Sequence, residues 1–205
     1  MRRHVNRALL RQRTDPVSGF THLGDREVHR GHVWSVVIGS FSSPDGIVFE
    51  RDIVRSPGAV GIVPVLYDPE GHPSVVLVRQ YRPSCGFELI EIPAGMRDVP
   101  GEPTESTAHR ELAEEVGLAA DSMTRIARFH PSPGMTDSTT EIFLATGCEP
   151  IQRDLQGPEE EHMTELHLPL ADALALIDNG TITDAKTVIG LRAAADLLRR
   201  ADDGA

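Results

Sequence analysis

The sequence predicts an α/β protein, a compact sandwich of short strands enclosed by helices rather than a doubly wound parallel sheet. Three observations predict it. Short segments rich in Val, Ile and Phe dominate the first half and are separated by turns of Pro, Asp and Gly. One central segment has the apolar spacing of a helix, and two further helical segments close the chain. No internal repeat breaks this order.

Residues 1–20 read as a mobile tail. Their start, Met1-Arg2-Arg3-His4-Val5-Asn6-Arg7-Ala8-Leu9-Leu10-Arg11, is basic but has neither a long apolar stretch nor a small-residue cleavage site, and a short Arg-rich targeting leader is the alternative. Residues 21–56 form an N-terminal antiparallel β-hairpin region. Its strands, 33–41 and 47–54, flank the turn Ser42-Ser43-Pro44-Asp45-Gly46. The main domain is expected over residues 57–205. It opens with strands 59–67 and 74–81 around the turn Asp68-Pro69-Glu70-Gly71-His72-Pro73, and a third strand, 87–92, stops at Pro93-Ala94-Gly95.

Residues 104–116 read as a helix. Pro103 and Thr104 supply its start, and Gly117 followed by Leu118 resembles a Schellman-type end. Ala108, Leu112 and Val116 recur every four residues and give one stripe for burial. Short strands follow at 123–129, 141–146 and 164–168, then helices at 170–179 and 184–200.

Composition narrows the function classes. Apolar and charged fractions of 40% and 25% are ordinary for a globular protein, and no apolar run approaches the ~20 residues that span a bilayer. A formal net charge of −11 argues against a protein that grips a nucleic-acid backbone, which needs clustered Lys and Arg. It does not argue against a small phosphorylated substrate, because bound cations reverse the local sign. Cys85 and Cys148 are far apart and suggest no disulfide framework or zinc site; both read as buried small side chains in a reducing cytoplasm.

Chemistry concentrates in Gly95-Met96-Arg97-Asp98-Val99-Pro100-Gly101-Glu102 and Arg110-Glu111-Leu112-Ala113-Glu114-Glu115-Val116-Gly117-Leu118. On a helix Glu111 and Glu115 share a face, with Glu114 beside them. A solvated acidic face is one reading of such a pair. A hard divalent cation is the other: Mg2+ takes oxygen ligands and is commonly held by one or two carboxylates plus substrate phosphates.

This segment resembles the Nudix box, G-x5-E-x7-R-E-U-x-E-E-x-G-U with U aliphatic, and matches every specified position from Glu102 to Leu118. Six residues rather than five separate Gly95 from Glu102, a loop insertion of small cost. The resemblance implies a Nudix-type α/β/α sandwich with a mixed sheet. It implies Glu111 and Glu115 as metal ligands, Glu114 as a ligand or water-mediated partner, and the Ala94 carbonyl as a further donor. Glu115 is thereby also a catalytic candidate. Mg2+ is the implied ion, with Mn2+ as the alternative, and Arg110 with Glu102 would brace loop against helix.

Outside the box the chain is similar to the ADP-ribose pyrophosphatase branch. Val78-Arg79-Gln80-Tyr81-Arg82-Pro83 resembles a strand end whose second arginine contacts the substrate diphosphate, a task suited to a planar fork; Arg79 is the other candidate. His130-Pro131-Ser132-Pro133-Gly134-Met135-Thr136 resembles a loop that shapes the ribose pocket, so Pro133 and Gly134 are implied contacts. Asp178 to Thr187 matches the closing helices of the branch. Trp34 in the hairpin region is either an adenine-stacking aromatic, in a dimer that exchanges this region, or a hairpin core residue; Arg51 is grouped with it as a substrate contact. In the acidic loop Gly157-Pro158-Glu159-Glu160-Glu161-His162 the branch places a catalytic glutamate, and counting back from Leu168-Pro169 favours Glu161, then Glu160.

The implied reaction is Mg2+-dependent hydrolysis of ADP-ribose to AMP and ribose 5-phosphate by a cytoplasmic homodimer. The rivals are another NDP-sugar or a dinucleotide as substrate, or a Nudix module that senses ADP-ribose without turning it over. No nucleic-acid or membrane partner is expected.

Overall fold

Alternation along three strands decides the architecture. In β4 (Ala59–Tyr67), β5 (Pro73–Arg82) and β9 (Thr140–Pro150), successive apolar side chains go to opposite faces of one sheet, and both faces are buried. Val60, Ile62, Val76, Val78, Phe143 and Ala145 pack on one side with Ala108, Leu112 and Val116. Val63, Val65, Val75, Leu77, Ile142 and Leu144 pack on the other with Leu170, Ala173, Leu191 and Ala194. The first helical set belongs to α1 (Thr104–Val116), the second to α2 (Leu170–Asp178) and α3 (Ala185–Asp202). The expected α/β/α sandwich is therefore present, and the stripe of α1 is the face it buries. Leu112 is fully buried, a contribution of roughly 1.5–3 kcal/mol.

This computed structural model describes residues 19–153 and 162–202. Its contacts divide into two units between Arg55 and Ser56. The first unit is a three-stranded antiparallel sheet in the order β1 (Thr21–Arg30), β2 (Ser35–Ser42), β3 (Val48–Arg55). A hairpin is expected from sequence, and β1 is the addition. Its sequence THLGDREVHR lacks an apolar face, and all ten residues are exposed, so periodicity gives no signal. Phe41 lies opposite Phe49 across β2 and β3 with their rings stacked, and Phe20 meets Phe49 edge-on, so the expected tail already has an ordered contact at its last residue.

The second unit is a mixed sheet. Its order is β10 (Thr164–Pro169), β5, β4, β9, β8 (Leu118–Phe129), with β6 (Phe87–Glu91) paired to β5 and β7 (Ala94–Met96) paired to β4. The β4–β9 pair is parallel and the others are antiparallel. The parallel pair is bridged by a long connection that includes α1, as parallel pairing requires.

The sheet splits at its centre. β4 pairs with β7 over residues 59–61 and with β5 over residues 65–67. Between them Ile62 donates its N–H to the Pro93 carbonyl at 2.8 Å, and Pro64, two residues on, has no N–H for that same side. Proline is normally confined to strand edges and bulges. Here it sits where β4 changes partners, and the split admits Ile92-Pro93, the link between β6 and β7.

Helix α1 starts differently from the sequence expectation. Pro103 is its N-cap, without a side-chain cap bond, and the Thr104 hydroxyl instead donates to Glu141 at 3.1 Å. The end agrees: Gly117 is left-handed (φ 59°, ψ 40°), and its N–H returns to the Ala113 carbonyl. One further correction concerns the cysteines. Cys148 is half-buried, but Cys85 is exposed in the turn after β5, and both are free.

Candidate active site

The site forms where α1 meets the split. Glu111 and Glu115 lie one turn apart on α1 and are 7% and 5% exposed, so the solvated-face reading fails for both. Glu115 accepts the Ala94 backbone N–H at 2.8 Å, which ties the carboxylate to the residue whose carbonyl the resemblance implies as a further donor. Glu111 lies so close to Gly95 that any side chain there would collide with it: a Cβ would stand 1.9 Å from the Glu111 carboxyl carbon. Glycine at 95 thus lets the Glu111 carboxylate lie directly against the backbone, and a larger residue there would displace it.

Burial pushes the Glu111 pKa up to about 7, with Glu114 adding to the rise and Arg110 opposing it. Arg110 Nη1 contacts Glu111 at 2.8 Å and Glu114 at 2.9 Å; Nη2 stands 3.5 Å from Glu102 and 3.6 Å from Asp98. The expected brace between Arg110 and Glu102 is present, and the same arginine also restrains the repulsion between Glu111 and Glu114. Among the described residues no three acids, histidines or cysteines are gathered closely enough to enclose an ion by themselves. The donors nonetheless fit a hard cation. All are oxygens, two are buried carboxylates on one face, and Mg2+ ordinarily completes its shell with water and substrate phosphates.

Arg82 departs from expectation in one respect. Its Nε and Nη2 both donate to Glu91, each at 2.7 Å, so the side edge of the fork is taken. Nη1 has no partner among the described residues, and the side chain keeps 36% of its surface open. Arg82 is therefore available to a phosphate through its end, not through the full fork. Arg79 is exposed on β5, opposite Thr164 and Ile90, and strand alternation turns it to the face opposite Arg82. The two arginines do not come together.

Pro133 and Gly134 are exposed in the turn between β8 and β9, closed by Met135 and Thr136 N–H bonds to the Ser132 carbonyl. Trp34 is 55% exposed, so it is not a hairpin core residue. Arg51 packs its guanidinium 4.8 Å above the Phe49 ring. Glu160 and Glu161 lie outside the described residues.

Sequence reasoning missed Glu91, Lys186 and Glu141. Glu91 is 1% exposed and also takes a contact from Lys186; burial pushes its pKa up, but Arg82 and Lys186 outweigh that and hold it low. Glu141 is buried against Thr104 and Arg125, the latter at 3.0 Å. A signal existed for both: each acid directly adjoins an apolar run, Leu89-Ile90 before Glu91 and Ile142-Phe143-Leu144-Ala145 after Glu141.

A sequence profile described as the NUDIX domain matches residues 55–189. This chain belongs to the Nudix family. Among Nudix relatives it is 34% identical over 174 residues to an ADP-ribose pyrophosphatase of Mycobacterium tuberculosis, covering 85% of this chain and 82% of the relative. It is 32% identical over 170 residues to an ADP-ribose pyrophosphatase of Bacillus subtilis, covering 83% and 89%. A crystal structure of an ADP compounds hydrolase superposes with a TM-score of 0.74 at 25% identity, covering 91% of this chain and 97% of that one. The Nudix box thus lies on the elements described: its loop in the split of the sheet, its acids on α1.

Proposed function

We propose that this chain hydrolyses ADP-ribose to AMP and ribose 5-phosphate, with Mg2+ as its metal and Mn2+ as a substitute. The observation that carries the reading is the pair of buried carboxylates, Glu111 and Glu115, set on one face of α1 against Ala94 and Gly95. The names of the two pyrophosphatase relatives, and of an ADP compounds hydrolase from Escherichia coli that is 30% identical, support the substrate.

A divalent cation held by Glu111, Glu114, Glu115 and the Ala94 carbonyl would neutralise phosphate oxygens and lower the pKa of a water. The chain's own residues do the rest. Glu115 fixes the loop through the Ala94 N–H. Arg82 offers Nη1 to a non-bridging phosphate oxygen, where charge grows as the phosphoanhydride breaks. Glu161, or Glu160 one residue earlier, accepts the proton of the attacking water. The water oxygen bonds to phosphorus as the bridging P–O bond breaks, and the two phosphates leave on separate products. Arg79, Trp34, Arg51, Pro133 and Gly134 are the remaining proposed substrate contacts.

The test is a panel of nucleoside diphosphate compounds with products resolved by chromatography. ADP-ribose should yield AMP and ribose 5-phosphate faster than any NDP-sugar or dinucleotide. EDTA should reduce the rate to background, with recovery on adding Mg2+ or Mn2+. Faster cleavage of another compound would replace the substrate, and tight binding without products would favour a sensor.

A homodimer in a reducing cytoplasm completes the proposal. The N-terminal unit exposes Phe20, Leu23, Val28, Trp34, Ile47 and Val48, more apolar side chains than a lone surface usually leaves open. A second copy would cover them. Light scattering should return twice the 22.3 kDa chain mass; a monomer mass at micromolar concentration would refute it.

A further inference from the structure

We propose that Lys186 and Asp184, at the start of α3, are positioning residues that hold Arg82 through Glu91. The inference rests on the reading of Arg82 as a phosphate contact. Glu91 receives Arg82 on both oxygens, and Lys186 Nζ contacts Oε2 from a different element. Lys186 Nζ also donates to Asp184 Oδ2 at 3.0 Å. Asp184 in turn caps α3, accepting the Thr187 N–H at 2.9 Å and the Thr187 hydroxyl at 2.6 Å. Thr187 Oγ1 then accepts the N–H of Ile92, the residue after Glu91, at 2.9 Å.

These contacts close a ring that joins the first turn of α3 to the strand leading into the Ala94 loop. Arg82, Glu91, Lys186 and Asp184 alternate in sign and sum to zero, which is how charges persist in a buried place. A carboxylate held by one arginine can turn about its terminal torsion, which is soft. Held from two sides it cannot, and the plane of the guanidinium follows. The exposures within the ring single out the member most open to solvent. The Glu91, Lys186 and Asp184 side chains are 1%, 16% and 18% exposed, against 36% for Arg82, whose Nη1 is unpaired among the described residues. Arg82 is thus the most exposed of the four, and Nη1 is its nitrogen with no partner among the described residues.

Lys186→Met keeps the stem and removes the ammonium. With ADP-ribose and Mg2+, kcat should fall about 10²-fold, the scale of loss from misplacing a contact by ~1 Å, while KM changes less than about threefold. Lys186→Arg should return most of the rate. In an Arg82→Ala background, Lys186→Met should remove less than about threefold more, since the group it positions is gone. Equal losses in the two backgrounds, or Lys186→Arg as slow as Lys186→Met, would overturn the proposal. If the Met variant does not fold, Asp184→Asn, which keeps the capping oxygen and drops the charge, is read by the same cycle. Wild-type turnover is measured first. Cleavage of a different nucleoside diphosphate would refute the substrate alone, and the cycle is then run on that compound. With no turnover of any compound the functional reading fails, and the ring is read from crystal structures of wild type and Lys186→Met, where a displaced Arg82 guanidinium supports the positioning role and an unmoved one overturns it.

Discussion

Glu115→Gln is expected to lower turnover of ADP-ribose by about 10²-fold or more while the melting temperature stays within a few degrees of wild type. Glutamine has nearly the helix propensity of glutamate and similar volume. It also keeps an oxygen to accept the Ala94 N–H, so the 2.8 Å contact that anchors the loop survives. What disappears is the charge. Changes one step removed from a metal already cost about 10–100-fold, so loss of a direct ligand should reach at least the upper end. Glu111→Gln is less clean, because it also strips a charge partner from Arg110 Nη1, 2.8 Å away. Turnover and melting are measured on the same preparation. A rate within about a factor of two of wild type would remove Glu115 from the metal site.

The second large effect is expected in the acidic loop. Glu159→Gln, Glu160→Gln and Glu161→Gln should give one severe and two mild phenotypes, with Glu161 the severe one. Removing a general base costs about 10²–10⁴-fold, or roughly 3–5 kcal/mol of barrier, whereas neutralising a solvated neighbour costs almost nothing. ADP-ribose should still bind the severe variant, since the proposed metal ligands sit on α1. Equilibrium binding and single-turnover rates separate the two quantities. Three equal small losses would eliminate a loop base. A severe loss at Glu160 would keep the mechanism and move the base by one residue.

How far this was legible in the sequence depends on what each feature rests on. Helix α1 matches its expected span because one periodic stripe and a glycine end both mark it. Its acids were legible because four-residue spacing fixes a shared face. The short strand β7 was not: Ala94–Met96 has no room for a period, and it pairs with β4 through the backbone. β8 and β9 run longer than their apolar cores, since ladder bonds continue past the alternating residues at Leu118–Pro150. The occupied fork of Arg82 was hidden for a different reason. Its partner Glu91 is nine residues away, and the lysine behind that partner is ninety-five residues further on. Sequence can nominate an arginine for phosphate, but it does not reveal which of its edges another residue has already claimed.

Pro64 has a consequence for what this chain can avoid becoming. Strands β4 and β5 are neighbours joined by a tight turn, and nothing in their Val- and Leu-rich side chains opposes zipping along their full length. A gapless sheet of that kind would be an ordinary, well-bonded fold with no opening at its middle and no place for the Ala94 loop. The missing donor at Pro64 falls on the stretch where such a ladder would have to close, so the competing register forfeits a bond at its own centre. The native arrangement forfeits nothing there, because Pro93 already receives the Ile62 N–H. A residue outside the proposed substrate contacts thus tilts the folding landscape toward the sheet that divides to admit Ala94.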